Sequence, residues 1–239
     1  MKHFLILITF FTSAFTFSQT IKGTDLLDKA IKYHDPNNNW ETFKGTLNVT
    51  MKTPKNKERS SKITINLPEE YFLAISKRDT TTTTYSMDKD NCIISKTDSL
   101  RITNLKKKPS RTHCEMTSLY KNYYTYLYGL PMKLKDKGTI VEEKVERKTF
   151  KGKDYLVLKV TYDEAVGSDI WYFYFNPETY AMESYQFFKT DNNGKLKKDS
   201  GEYILLTEET TINNIKIPKN RAWYYNKDDG YLGTDILID

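Results

Sequence analysis

The segment Ile170-Trp171-Tyr172-Phe173-Tyr174-Phe175 decides the fold class of this chain. Its consecutive aromatic and β-branched side chains, uninterrupted by Gly or Pro, predict a β-strand. Because side chains alternate between the two faces of a strand, both faces of this one are apolar or aromatic. We therefore expect a central strand that other parts of the protein cover on both sides.

The rest of the C-terminal half carries the same strand signals. Short turns rich in Gly, Asn and Asp separate further candidate strands at 140–150, 155–162, 180–189, 202–211, 216–225 and 231–238. Successive strands joined by short turns pair as antiparallel neighbours. The C-terminal half therefore predicts an antiparallel meander.

Three strands are also predicted in the N-terminal half. Apolar and polar residues alternate over 46–51, 63–67 and 71–75, and the segments between them are short and polar. This alternation is typical of half-buried strands. We expect adjacent hairpin strands whose inward side chains include Leu47, Ile63 and Leu73.

A first helix is predicted between Thr24, a good N-cap residue, and Pro36, which stops it. Its apolar positions form one stripe, made of Leu26, Leu27, Ala30 and Ile31. His34 lies in the last turn, where a cation is mildly favoured by the helix dipole.

A second helix is predicted from Glu115 to Tyr128 and carries two rows of large side chains. The first row is predicted to face the core and consists of Met116, Leu119, Tyr123, Leu127 and Leu130. The second row consists of Tyr120, Tyr124 and Tyr128. Two interpretations stay open, a core helix with tyrosine hydroxyls at its rim and a lid over an apolar cavity.

The N-terminus has the pattern of a cleaved signal peptide. Lys2 and His3 precede a charge-free apolar run from Phe4 to Phe17, which is too short to span a bilayer as an anchor. Small residues before the expected cut predict a signal peptide over 1–18 and a mature chain from Gln19. We expect one domain over 19–239, located in the periplasm or cell envelope.

Export changes the interpretation of the two cysteines, Cys92 and Cys114. In an oxidising compartment such a pair is typical of a structural disulfide rather than of a metal or catalytic site. The basic segment 105–111 lies inside the loop that this bond would close. It is either a solvated connection or a weak peripheral contact with an anionic membrane surface.

Composition indicates a folded protein, and the motifs do not indicate an enzyme. The chain has 239 residues, a net charge of +6 and 14% aromatic residues, which excludes disordered and collagen-like classes. Its motifs predict no catalytic residue, cofactor, metal ligand or nucleic-acid partner. The acidic turn at Asn226, Asp228 and Asp229 is better explained as a hairpin turn than as a calcium site.

Four segments resemble an uncharacterised family of secreted proteins from Bacteroidota, a domain of unknown function. They are Tyr33-His34-Asp35-Pro36, 123–134, Phe150-Lys151-Gly152-Lys153-Asp154-Tyr155 and Trp223-Tyr224-Tyr225-Asn226. The order of elements also resembles the outer-membrane lipoprotein-sorting carriers LolA and LolB. That resemblance implies an unclosed antiparallel barrel with helices covering an apolar cavity that holds acyl chains. Those carriers use an arginine in an early strand, whereas Arg59 is here predicted to lie in a turn.

The predicted fold is therefore mainly β (α+β), a curved antiparallel sheet or unclosed barrel with two covering helices. The leading hypothesis is a periplasmic protein that binds or carries an apolar ligand, such as a lipid or the acyl chain of a lipoprotein. Its candidate lining residues are Leu47, Val49, Ile63, Ile65, Leu73, Tyr123, Leu127, Leu156, Leu158, Trp171 and Phe173. The alternative is a non-enzymatic envelope scaffold that binds another protein through an exposed aromatic surface. An enzyme is the third hypothesis, and the sequence leaves the oligomeric state open.

Overall fold

The computed structural model describes residues 21–98 and 111–238. The predicted signal peptide over 1–18, the predicted mature start at Gln19 and the basic segment 105–110 lie outside the described residues. The signal peptide and the membrane contact of the basic segment therefore stay predictions.

The described residues form two α-helices, α1 (Gly23–His34) and α2 (His113–Gly129), and two short 3₁₀ helices, Asn39–Thr42 and Met132–Lys135. The strands of the N-terminal half are β1 (Lys44–Lys52), β2 (Arg59–Asn66), β3 (Tyr71–Arg78), β4 (Thr81–Asp88) and β5 (Asn91–Asp98). Those of the C-terminal half are β6 (Thr139–Phe150), β7 (Lys153–Tyr162), β8 (Ile170–Phe175), β9 (Met182–Phe188), β10 (Glu202–Ile212), β11 (Ile215–Tyr225) and β12 (Tyr231–Ile238).

All twelve strands belong to one antiparallel sheet in the order β5-β4-β3-β2-β1-β12-β11-β10-β9-β8-β7-β6. Each half of the chain is a meander, and the pairing of β1 with β12 joins the two halves. The terminal strands β5 and β6 are not paired with each other, so the sheet is unclosed. The predicted mainly β fold with two helices is confirmed.

The contacts of the helices require the sheet to curve around them. Helix α1 contacts both β6 and β11, which are five strands apart in the sheet and would lie roughly 24 Å apart if it were flat. A helix is only about 10–12 Å wide with its side chains. Both helices therefore lie against one concave side, called the inner face below, and the opposite side is the outer face.

The predicted C-terminal strands are confirmed to within a few residues, whereas β4 and β5 have no counterpart in the sequence prediction. Thr and Ser dominate β4, and exposed polar residues dominate β5, so neither shows apolar alternation. Antiparallel pairing with β3 and with each other forms these two strands. Thr favours strands, but a run of Thr does not show which face is buried.

The predicted start of α1 is wrong by two residues. The N-cap is Lys22, whose backbone is extended and pairs with Lys144 of β6, so Thr24 falls within the first turn. A Cβ on Gly23 would meet the carbonyl oxygen of Glu142 at 2.0 Å, so glycine permits this close approach of helix and strand. The stripe of Leu26, Leu27 and Ala30 is buried as expected.

The register of β3 corrects the prediction for Leu73. Phe72 and Ala74 pair with Ile65 and Ile63, so these four side chains share the inner face. Leu73 therefore points to the outer face, where it is only partly buried. The prediction failed because β3 carries apolar residues on both faces, and a shift of one residue exchanges them.

The predicted assignment of the two rows of α2 is only partly right, since Leu127 and Leu130 of the predicted core row are buried. Tyr124 and Tyr128 of the second row are buried, whereas Leu119 and Tyr123 of the predicted core row are exposed. The second row packs on the sheet, because Tyr120 stacks on Tyr85 of β4 with ring centroids 3.9 Å apart. The exposed pair therefore faces away from this contact.

The predicted disulfide between Cys92 and Cys114 is confirmed. It joins the edge strand β5 to the first turn of α2, with Cα atoms 5.1 Å apart. Thr112 and Glu115 form a capping box beside it, so the start of α2 is fixed both covalently and by hydrogen bonds.

Candidate functional site

The inner face is closed over most of its length. Eight of the predicted lining residues are buried there: Leu47, Val49, Ile63, Ile65, Leu127, Leu156, Leu158 and Phe173. They form one core with apolar side chains of both helices, including Leu26 and Tyr128. Protein atoms therefore fill the space that these residues were expected to line.

One end of the inner face is open. Partly exposed side chains remain there on six strands, namely Met51, Arg59, Tyr85, Trp171, Phe187 and Trp223. Tyr123 of α2, which is 42% exposed, lies close enough to this end to feel the positive charge of Arg59. We call this region the open-end site. It includes two predicted lining residues, Tyr123 and Trp171.

Tyr123 projects from α2 into the open-end site. Its ring lies edge-on against Tyr124, with ring centroids 5.2 Å apart. Displacement of water by protein raises the pKa of the Tyr123 hydroxyl well above its usual value, and the negative charge of Asp235 on β12 raises it further. The Tyr123 side chain is therefore partly open to solvent and lies close to the charged residues of β2 and β12.

Aromatic side chains form one wall of the site. Trp171 of β8 stacks on Phe187 of β9 at 4.8 Å and meets Tyr126 of α2 edge-on at 5.5 Å. The hydroxyls of Tyr126 and Tyr162 share a hydrogen bond of 2.5 Å, which joins α2 to β7. This wall presents apolar ring faces with few unsatisfied polar atoms.

A buried polar cluster forms the floor of the site. Asp235 is 6% exposed, and its Oδ2 accepts a hydrogen bond of 3.2 Å from the indole of Trp223. Its Oδ1 and the hydroxyl of the fully buried Tyr185 have no hydrogen-bond partner among the described residues. Burial raises the pKa of Asp235, and the positive charges of Arg59 and Arg221 oppose this shift.

Arg221 ties the floor to α2. It is 1% exposed and lies over the ring of Tyr128, 4.1 Å from the centroid. Its guanidinium donates hydrogen bonds of 3.1 Å to the carbonyl of Pro218 and 3.2 Å to that of Leu127. Because Leu127 lies in the last turn of α2, Arg221 satisfies a carbonyl that the helix leaves unpaired.

Arg59 is the first residue of β2, so its predicted place in a turn is wrong. It pairs with Met51 of β1 and shares the inner face with Ser61 and Ile63. Burial raises the pKa of Tyr124, and the positive charge of Arg59 opposes this, so the guanidinium lies close to the tyrosine rows of α2. The alternation Arg59, Ser61, Ile63 was a signal that could have placed this arginine on the inner face.

The outer face has its own clefts and aromatic residues. A cleft of about 670 Å³ lies beside Tyr33, Lys153, Glu183 and Glu209, and ion pairs such as Lys153 with Glu183 border it. A second cleft of about 410 Å³ is lined by Tyr172, Tyr174, Phe188 and polar side chains. Charged side chains such as Lys153, Glu183 and Lys148 border both clefts.

The described residues contain neither a metal-binding cluster nor a membrane-spanning helix. No group of three or more His, Cys, Asp and Glu side chains within 21–98 and 111–238 could hold a metal ion. In the same ranges, no helix combines the length and the apolar character needed to cross a membrane.

Comparison with known protein families gives a match over the whole chain. The matching model covers residues 1–239 and describes a family of unknown function, DUF6503. The chain belongs to the DUF6503 family. No curated protein matches its sequence.

Solved structures of similar shape include a LolA superfamily protein from Nitrosomonas europaea, with a TM-score of 0.48 and 12% sequence identity. A DUF1329 family protein from Desulfovibrio piger has a TM-score of 0.47 and 9% identity. In both comparisons, 92% of this chain and 92% of the other chain are covered.

In this DUF6503 chain, the segment Tyr33-His34-Asp35-Pro36 has a structural role at the end of α1. The buried His34 shares a hydrogen bond of 2.8 Å with the carbonyl of Lys216 through Nδ1, while its Nε2 accepts one of 2.9 Å from the amide of Met182. The Asp35 carboxylate accepts hydrogen bonds from the backbone amides of Asn39 and Trp40. These contacts attach α1 to β9, β11 and the following 3₁₀ helix.

The predicted cationic role of His34 is wrong. Burial lowers the pKa of its imidazole below the usual value, and the hydrogen bond to Lys216 only partly opposes this. One ring nitrogen must donate and the other must accept, which is the arrangement of a neutral imidazole. The helix-dipole argument failed because it took no account of burial.

Sequence reasoning missed four polar residues of the open-end site: Arg59, Tyr185, Arg221 and Asp235. Each occupies a strand position whose side chain points to the inner face. The residue paired with it on an adjacent strand is apolar or aromatic. A charged residue among the alternate positions of a strand that are otherwise apolar is the sequence signal that could have found the arginines and the aspartate.

Proposed function

We propose that this protein binds and carries an apolar or amphipathic ligand, such as a lipid or the acyl chain of a lipoprotein, in the open-end site. The observation that carries the proposal is Tyr123, a large ring left open to solvent on the helix whose Tyr126 contacts the stacked Trp171 and Phe187. We further propose that export by the 1–18 signal peptide places this activity in the periplasm or cell envelope.

The exposed side of α2 supports a ligand in this position. Leu119 and Tyr123 lie one helical turn apart and are 44% and 42% exposed. An apolar chain lying between α2 and the aromatic wall would remove both side chains from water. Burial of apolar surface contributes roughly 25 cal/mol for each Å². The filled part of the inner face limits the ligand to this end unless α2 moves.

The direct test is mass spectrometry of the protein purified from a bacterial periplasm, first under native conditions and then after organic extraction. A stoichiometric phospholipid, fatty acid or acylated peptide supports the proposal. A ligand-free mass, together with no binding of added lipid, contradicts it.

Two tyrosines with nearly equal exposure allow a matched test of the location. Tyr123 lies in the open-end site and Tyr231 on the outer face, at 42% and 43% exposure. We expect Tyr123→Ala to weaken binding of a fluorescent fatty acid by about tenfold, from lost aromatic contact. Tyr231→Ala should bind as the wild type does. Equal effects of the two substitutions would place the ligand elsewhere.

A second candidate function has support on the outer face. Tyr203 stacks on Tyr224 at 5.0 Å, and Tyr224 lies against Tyr231 at 5.4 Å, which gives a continuous aromatic strip across three strands. Such strips are frequent at protein interfaces. This supports the scaffold hypothesis, and a partner retained by the wild type but lost with Tyr231→Ala would favour it.

A further inference from the structure

Two arginines lie directly opposite each other on the inner face. Arg59 begins β2 and Arg78 ends β3, and the antiparallel register pairs them. Directly opposed residues of an antiparallel pair have Cβ atoms about 4.5–5.5 Å apart, and like charges in such positions repel.

The acids that adjoin the pair in sequence form ion pairs with lysines. Glu58 forms an ion pair with Lys52, and Asp79 forms one with Lys57. Met51 and Thr81 flank the two arginines in the same row of the sheet. Asp235, on the strand beyond Met51, feels the positive charge of Arg59 but accepts its hydrogen bond from Trp223.

The guanidinium groups retain hydrogen-bonding capacity. The Nε atoms of Arg59 and Arg78 are buried and have no hydrogen-bond partner among the described residues. Each of these groups is a hydrogen-bond donor without an acceptor, and each lies beside a positive charge.

We propose that Arg59 and Arg78 bind the anionic head group, a phosphate or carboxylate, of an amphipathic ligand whose chain lies along the open-end site. Arginine suits this role because its planar fork of donors matches the oxygens of carboxylate and phosphate. Bound oxygens would neutralise the repulsion within the pair. The inference rests on the proposed function and adds the chemical class of the ligand.

The test compares ligands that differ only in charge or in the presence of a chain. Oleate, methyl oleate and inorganic phosphate are titrated separately into the delipidated mature protein, below the concentration at which oleate forms micelles. We expect oleate to bind at least about tenfold more tightly than methyl oleate, since one charge-assisted hydrogen-bonded pair distinguishes them. Phosphate should bind far more weakly than oleate.

Arg59→Gln and Arg78→Gln should each abolish the preference for oleate and leave the affinity for methyl oleate unchanged. Lys62→Gln and Lys77→Gln are the matched controls. They remove the same charge from the same two strands, but at exposed positions on the outer face. These controls should keep the preference for oleate.

The outcomes separate the inference from the proposed function. Equal affinities for oleate and methyl oleate, or arginine variants that keep the preference, overturn the inference alone. Binding of phosphate as tightly as oleate also overturns it, in favour of a free-anion site. Absence of binding by both oleyl compounds overturns the inference together with the proposed function.

Unfolding of the ligand-free protein distinguishes binding from a structural role. Since Arg78→Gln removes one of two repelling charges, we expect its urea midpoint to stay the same or rise, whereas Arg59→Gln also removes a charge that favours the carboxylate of the buried Asp235. A lower midpoint in both variants would show that the arginines stabilise the fold, and would contradict the inference.

Discussion

At the scale of single side chains, adjacent residues of the same type differ in burial. Tyr123 and Tyr124 are neighbours in α2, yet Tyr124 is buried against Phe72 of β3 while Tyr123 is open to solvent. The helix turns by about 100° per residue, so neighbours face different surroundings. One tyrosine therefore belongs to the core and the other to the open-end site.

This difference predicts opposite effects of two equal truncations. Tyr124→Ala should lower the free energy of unfolding by about 3–5 kcal/mol, as is usual for loss of a buried aromatic ring. Tyr123→Ala should change it by less than about 1 kcal/mol, because little packing is lost. Urea unfolding followed by circular dichroism measures both, and equal losses would contradict the assignment of the rows.

His34 predicts a pH dependence of stability. The unfolded chain takes up a proton near the ordinary histidine pKa of about 6.5, whereas the folded protein resists protonation because burial lowers the pKa of His34. The contribution of His34 is therefore present above pH 6.5 and is lost as the pH falls toward the lower, folded pKa. The loss is at most about 1.4 kcal/mol per pH unit in that window.

The measurement is urea unfolding between pH 8 and pH 5. His34→Gln should be less stable than the wild type at pH 8, and the difference should shrink as the pH falls. His113→Gln, at an exposed position in the first turn of α2, is the control and should follow the wild type. A constant difference between His34→Gln and the wild type would contradict this prediction.

Helix α2 is held at both ends by different interactions, at the scale of elements. The disulfide and the capping box of Thr112 and Glu115 fix its start, and the guanidinium of Arg221 bonds the carbonyl of Leu127 near its end. The stripe analysis could not choose the buried row, because both rows are large and partly aromatic. Its contacts with β3, β4 and β5 decide the orientation.

Reduction of the disulfide should loosen the start of α2. The bond closes a loop with a sequence separation of 22, and its loss should lower the free energy of unfolding by about 3 kcal/mol on the chain-entropy model. The denatured, unreduced protein should react with no thiol reagent. The double variant Cys92→Ser, Cys114→Ser is the control, since added reductant should not change its stability. Reactive thiols before reduction would contradict the prediction.

At the scale of the whole molecule, the pairing of β1 with β12 joins the two meanders into one sheet. It joins the first strand of the chain to the last, with Val49 opposite Leu237. Leu237 is buried in the common core, whereas its neighbour Ile238 is largely exposed. The contacts across this seam are between residues far apart in sequence, so their loss affects both halves.

Neighbouring substitutions in β12 test this seam. Leu237→Ala should lower the free energy of unfolding by about 2–5 kcal/mol through the cavity that it leaves. Ile238→Ala should change it by about 0.5 kcal/mol or less, because its side chain is at the surface. Trp40 and Trp171 report on opposite halves of the sheet, and their fluorescence should change in one transition. Separate transitions would show that the halves fold independently.

The sequence by itself determined the classes of element and most of their positions. Alternating residues in β1 and β2, the aromatic run of β8 and the turns of the C-terminal half were sufficient, since strand periodicity is a local property. The same holds for the stripe of α1. The disulfide followed from two cysteines and the expected compartment, and it is present.

Only the tertiary structure decided which faces are buried and what the inner face can hold. The seam between β1 and β12, the outward turn of Leu73 and the neutral state of His34 all depend on neighbours distant in sequence. The same register placed Arg59 opposite Arg78 and restricted the candidate site to one end. Periodicity could not supply this, because it fixes which residues share a face but not what lies across from that face.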